Sequence, residues 1–160
     1  MKTSYWVVTL YLVVHIVSCT ASKQISPTTT VHAFRLKPGQ LLKESIQQYV
    51  KENHIQSGWI GTCVGSLTHY QIRLANQPGI SSDSGHFEIV SLIGTVSENG
   101  SHLHISLSDS TGRTIGGHLA DNCSVYTTAE IVIVQSNKHV FAREKDGTTP
   151  WEELQVKKVQ

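Results

Sequence analysis

Charge, cysteine, methionine and proline are all scarce in this 160-residue chain: 16% charged residues, three Cys, one Met and four Pro. So few cysteines exclude a miniprotein stapled by several disulfides. Low charge beside 39% hydrophobic residues excludes a disordered chain and permits one packed core. Neither sign of charge dominates. Lys and Arg number 13 against 12 Asp and Glu, a net +1, so no basic field favours nucleic acid. The chain lacks a phosphate-binding P-loop, a G-x-G-x-x-G turn and a G-x-S-x-G elbow. Cys63 with only distant histidines gives no nucleophile signal. What the chain does have is histidine, nine in all. Its length suits a single ordinary domain.

The first residues differ from the rest. Lys2 is the only charge before Lys23, and Trp6 to Val17 is apolar except for Thr9 and His15. The small residues Ser18, Cys19, Thr20, Ala21 and Ser22 follow. A basic tip, a short apolar run and a small-residue exit describe a secretory signal peptide over residues 1–22. The run is short for spanning a bilayer. The expectation is a secreted or extracytoplasmic protein. The alternatives are a retained membrane anchor, a buried strand, or a lipidated Cys19, because Ile16-Val17-Ser18-Cys19 resembles a bacterial lipoprotein box. Cleavage removes Lys2 and no acidic residue, leaving 12 basic against 12 acidic residues and no net charge. Eight of the nine histidines stay. In an oxidising compartment Cys63 and Cys123 either pair as a disulfide or remain two buried thiols. Asn99-Gly100-Ser101 and Asn122-Cys123-Ser124 are glycosylation sequons that fit a secreted protein.

A polar linker spans residues 23–30, and one domain is expected over residues 31–160. Val31 to Leu36 reads as a strand and Pro38-Gly39 as a turn. Leu41 to Asn53 places Leu42, Ile46, Tyr49 and Val50 on one helical face. Strands are expected within Ser57 to Leu67, at Tyr70 to Leu74, from Phe87 to Ser97, His102 to Ser108, Ser124 to Gln135, His139 to Arg143, and Leu154 to Val159. Asn76 to Gly85, rich in Gly, Ser and Pro, reads as a loop, and Glu98-Asn99-Gly100 as a turn. The fold class is α/β in the α+β sense: a mostly antiparallel sheet packed by one main helix.

The chemistry-bearing candidates sit on that sheet. His102-Leu103-His104-Ile105-Ser106-Leu107-Ser108 alternates strictly. A strand puts His102 and His104 on one face, about 7 Å apart, and Leu103, Ile105 and Leu107 on the other. After the Asp109 turn, Thr114-Ile115-Gly116-Gly117-His118-Leu119 runs back, and antiparallel pairing returns His118 towards the pair. Three imidazoles with an open fourth position suit a divalent metal, zinc by default, with nickel, copper and iron also matched by imidazole. Three hydrogen-bonded histidines without metal are the other reading. Glu130, between apolar neighbours, is a candidate base or a hydrogen-bond acceptor for a ligating histidine, or else a carboxylate paired with Arg35, Arg73 or a backbone amide. Glu88 stands in the same position of choice.

These blocks resemble the PPC (plants and prokaryotes conserved) domain family. The resemblance lies in Gly85-His86-Phe87-Glu88-Ile89-Val90-Ser91-Leu92-Ile93-Gly94-Thr95, in His102 to Ser108, and in Gly116-Gly117-His118-Leu119. Arg35 with Pro38-Gly39, Gly65-Ser66-Leu67 and Ala129-Glu130 fit the pattern too, so that it covers roughly Val31 to Leu154. The resemblance implies an antiparallel sheet with a packed helix and a homotrimer. It also implies, as in prokaryotic-type members, a metal site at His102, His104 and His118. Plant members carry an AT-hook before the domain. This chain has no Arg-Gly-Arg-Pro core, so a DNA-binding role does not carry over. The resulting expectation is a secreted, self-associating module that binds a divalent metal or small ligand through its histidines. Its rivals are an interaction module without metal and a hydrolase or lyase, in which the same histidines hold the metal and Glu130 assists.

Overall fold

The computed structural model describes residues 28–159. The expected leader, its Cys19, and most of the linker lie outside the described residues. Eight strands and one helix follow in the order β1 (Thr29–Leu36), α1 (Leu42–Glu52), β2 (Gly58–Arg73), β3 (Ile80–Ser97), β4 (Gly100–Ser108), β5 (Thr114–Leu119), β6 (Ser124–Ser136), β7 (His139–Glu144) and β8 (Glu153–Lys158). The architecture is the expected mostly antiparallel sheet with one packed helix. Among the described residues, no helix is long and apolar enough to cross a membrane.

The helix forms where the apolar spacing put it. Leu42, Ile46 and Val50 are buried completely against the sheet. Tyr49, on the shoulder of that face, stacks on Phe34 of β1 with ring centroids 3.9 Å apart. Leu41 offers no side-chain cap, but the first turn is not orphaned: the Leu42 amide donates to the Cys123 carbonyl at 2.8 Å.

Six strands form one sheet in the order β1-β6-β2-β3-β4-β5. β5 then returns to the end of β2, pairing Ile72 with Leu119 and Arg73 with His118. β2, β3, β4 and β5 therefore curl into a closed ring, whose interior holds Leu67, Ile72, Leu103, Leu107 and Leu119. Gly117 makes the closure sterically feasible, since a Cβ there would stand 2.6 Å from the Arg73 carbonyl oxygen. β7 and β8 form a separate two-stranded ribbon.

Two expectations need correction. The two strand candidates at Ser57 to Leu67 and Tyr70 to Leu74 are one continuous 16-residue strand, β2. Residues 80–85 are not loop but the start of β3, with Ile80 to Ser84 pairing with His69 to Arg73. The Ser- and Asp-rich segment reads as a turn by composition. Its side chains face solvent while its backbone extends the ladder of a strand whose Tyr70 and Ile72 are buried.

Candidate metal centre

Strand alternation places the histidines. On β4, Leu103, Ile105 and Leu107 are buried, and His102 and His104 are exposed on the outer face. Register does the rest: His104 pairs with His118 of β5, while His102 and His104 sit opposite Thr95 and Ile93 of β3. The three expected imidazoles do come together. One ring nitrogen from each lies within 4.8 Å of the others, and no other group of this kind gathers among the described residues. The ring centroids are 5.0, 5.1 and 5.7 Å apart.

One of the three donor pairs already has the spacing of a tetrahedral ion. Two nitrogens on one zinc, each about 2.0–2.1 Å from it, stand about 3.3 Å apart. His102 Nε2 and His104 Nε2 are 3.2 Å apart. The half-buried His118 has an Nδ1 that is shielded from solvent and has no hydrogen-bond partner, a deficit that a ligand would satisfy. Two of the three rings are exposed, so a bound ion keeps an open side.

The electrostatics favour the neutral form at His118 and His102. Burial, then the neighbouring His102, Arg73 and His104, push His118 down to about 4 from 6.5. His102 is lowered by burial first and by His104 and Arg143 next. Neutral imidazoles expose the lone pairs a metal requires. The same depression sets a sign for stability. Between about pH 6.5 and 4 the unfolded chain binds a proton at His118 that the folded chain does not. Metal-free protein should therefore lose stability as pH falls through that window. Solvent around the half-exposed ring keeps the slope shallow. The check is the denaturant midpoint at pH 7 and pH 5: the parent midpoint falls, His118→Gln flattens the change, and equal parent midpoints contradict it.

Glu130 does not join the site. It is exposed on β6, in register with Arg35 of β1 and Val64 of β2, and β2 and β3 separate its strand from β4. Arg35 is its register neighbour, but the Arg35 Nε donates to Thr128 Oγ1 at 2.8 Å. Glu88 is exposed opposite Ser108. Cys63 and Cys123 are two buried free thiols. Burial pushes the Cys63 thiol up to about 12, and the Cys123 thiol donates to the Gln71 carbonyl at 3.3 Å. Of the sequon residues, Asn122 is exposed, and exposed Asn99 donates through Nδ2 to the Phe141 carbonyl at 3.2 Å. The scattered histidines have separate partners: His32 with Gln135, His54 with Glu98, His69 with Ser84, His139 with Ser136, and His86 stacked on Tyr126.

Sequence reasoning missed the walls of the site. Arg73, Arg143, Trp151 and Glu153 line a cavity of about 350 Å³ together with His102 and His118. Arg143 Nη2 donates to Thr95 Oγ1 at 2.6 Å, and the Arg73 guanidinium lies 5.7 Å from the Trp151 ring centre. Arg73, Arg143 and Glu153 reach it through strand pairing and Trp151 through the connection between β7 and β8, none of which periodicity reveals.

The family described as the Plants and Prokaryotes Conserved (PCC) domain matches residues 23–137. A curated relative, the bifunctional protein GlmU of Synechococcus sp. (strain JA-3-3Ab), is 40% identical over 129 residues, which is 81% of this chain and 21% of that protein. The chain thus spans about a fifth of the curated relatives it matches. A hypothetical protein from Salmonella enterica of known structure is 36% identical, with a TM-score of 0.80, over 84% of this chain and 97% of that one. A metal-containing protein from Archaeoglobus fulgidus has a TM-score of 0.68 at 23% identity, over 79% and 93% of the two chains. A Bacteroides thetaiotaomicron structure named as a "putative dna binding protein" has a TM-score of 0.69 at 20% identity, over 78% and 91%. Its name runs against the expectation drawn from charge, but likeness at that identity establishes the shared fold alone.

Proposed function

The chain belongs to the Plants and Prokaryotes Conserved (PCC) domain family, and on that premise we propose that it is a homotrimeric divalent-metal-binding protein, with zinc as the default ion held by His102, His104 and His118. The observation that carries this reading is the convergence of three ring nitrogens within 4.8 Å, one ring bearing a buried, unpartnered nitrogen. Three imidazoles and an open side are the donor set of a Lewis-acidic ion that takes a further ligand. The metal-containing fold neighbour from Archaeoglobus fulgidus is in keeping with it. The leader pattern in residues 1–22 supports a secreted setting.

Self-association has support in the outer face of the sheet. Val31, Trp59, Val64 and Ile93 are all exposed there. Register sets Val31 beside Val134, Val134 beside Trp59, Trp59 beside Thr95 and Thr95 beside His102, so an apolar row leads to the histidines. Water-facing apolar rows of this kind mark contact surfaces.

Protein purified without a histidine tag and supplied with zinc, nickel, copper and iron in turn tests the proposal. Elemental analysis should find one divalent ion per chain, and sedimentation should give a trimer. A chain that retains no metal overturns the site. A monomer at micromolar concentration overturns the assembly, and an intact mass that retains Met1 overturns export by cleavage.

A further inference from the structure

The family match ends at residue 137, yet part of the metal centre's wall comes from beyond it. The β7–β8 ribbon is firmly seated. Ser57, fully buried, has its hydroxyl oxygen 2.9 and 2.8 Å from the carbonyls of Ser136 and His139, which share its one proton. The Phe141 amide donates to the Gln56 carbonyl at 2.9 Å. This seating lays β7 across the outer face of β3, where Arg143 is held by Thr95, the register partner of His102. From the opposite side Arg73, the register partner of His118, reaches under the exposed ring of Trp151. Two guanidiniums from separate elements thus enter one cavity with two of the three imidazoles.

The two guanidiniums are a cost to a bare divalent ion, which Glu152 and Glu153 of the same lining oppose. The cost turns into recognition if the occupant brings negative charge of its own. Guanidinium forks match the two oxygens of a carboxylate. The Trp151 ring offers a flat apolar wall for a carbon skeleton, and about 350 Å³ lies at the small end of ligand cavities. We propose that the C-terminal ribbon makes this centre a receptor for a small organic carboxylate, gripped between Arg143 and Arg73 at the open side of the histidine cluster. The inference rests on the metal reading for the ion, but not for the two arginines.

The test is calorimetric titration of the full chain, zinc-loaded and metal-free, with acetate, lactate, malate and inorganic phosphate. Saturable binding of at least one carboxylate is expected, tighter with zinc than without. Arg143→Ala should weaken it roughly tenfold or more, the scale of losing a hydrogen bond to a charged group, and Arg143→Lys should recover part of the loss. Both variants should keep the parent's zinc content, which separates loss of the anion grip from loss of fold. Zinc bound with no carboxylate heat overturns the inference and leaves the metal site standing. Zinc absent overturns the metal reading alone, and silence of the metal-free chain then overturns the inference as well. Tighter binding of phosphate than of any carboxylate, or equal affinities in parent and Arg143→Ala, also overturns it.

Discussion

Alanine at position 94 is expected to remove most of the stability of the domain. Gly94 has φ +138°, a conformation L side chains rarely adopt, and a Cβ there would lie 2.0 Å from the His102 carbonyl oxygen. The obstacle is backbone, not a side chain that can swing away, so β3 and β4 must separate at the point where β4 presents its histidines. The conformational strain alone costs about 1–3 kcal/mol. Prying apart a central ladder adds to that, against a total of about 5–15 kcal/mol for an ordinary domain. Gly100 is the matched control: its φ is +126°, but nothing lies within 4 Å of a Cβ built there. Gly100→Ala carries the strain without the collision. Chemical denaturation should therefore show Gly94→Ala largely unfolded or shifted by more than about 4 kcal/mol, a loss reserved for few substitutions, and Gly100→Ala shifted far less. Equal shifts would mean that β3 does not approach β4 as closely as described.

His104→Ala is expected to abolish stoichiometric zinc while leaving the fold intact. His104 is exposed and stands between Ile93 and His118 in the ladder, so its loss opens no cavity in the core. It removes one of three donors. Changing a residue that merely orients a ligand typically costs about 10–100-fold in metal affinity, and removing the ligand itself should cost more. Stability of the metal-free variant should stay within about 0.5 kcal/mol of the parent, as for other exposed substitutions. His32→Ala, which breaks a 2.8 Å contact with Gln135 on another part of the sheet, should leave zinc content unchanged. A His104→Ala protein that still carries a full equivalent of zinc would remove these imidazoles from the site.

Local periodicity carried a large part of this structure. The helix, the inward leucines of β4 and the outward histidines all follow from repeats of three to four or of two residues, which a linear chain displays openly. The return of His118 was legible because one short turn separates it from the pair. Arg73, Arg143 and Trp151 were not legible. Arg73 reaches the site only because β5 folds back onto β2, and Arg143 and Trp151 only because a separate ribbon is pinned by Ser57 and Gln56. Such pairings join residues far apart in the chain and leave no local pattern. Glu130 misled for the related reason that apolar neighbours along a strand do not say which elements cover it. The polar start of β3 misled because side-chain composition is silent about a backbone that finds its partner.

The closed ring of β2, β3, β4 and β5 is sealed by a narrow seam: two residue pairs, Ile72 with Leu119 and Arg73 with His118, and the Ala120 amide bonded to the Gln71 carbonyl. A seam so short is where local opening costs least. Its opening parts His118 from Arg73 and withdraws an imidazole and a guanidinium from the centre in one movement. Anything bound to both would act as a clasp, favouring the shut ring by mass action, so that occupancy of the centre and integrity of the barrel rise and fall together.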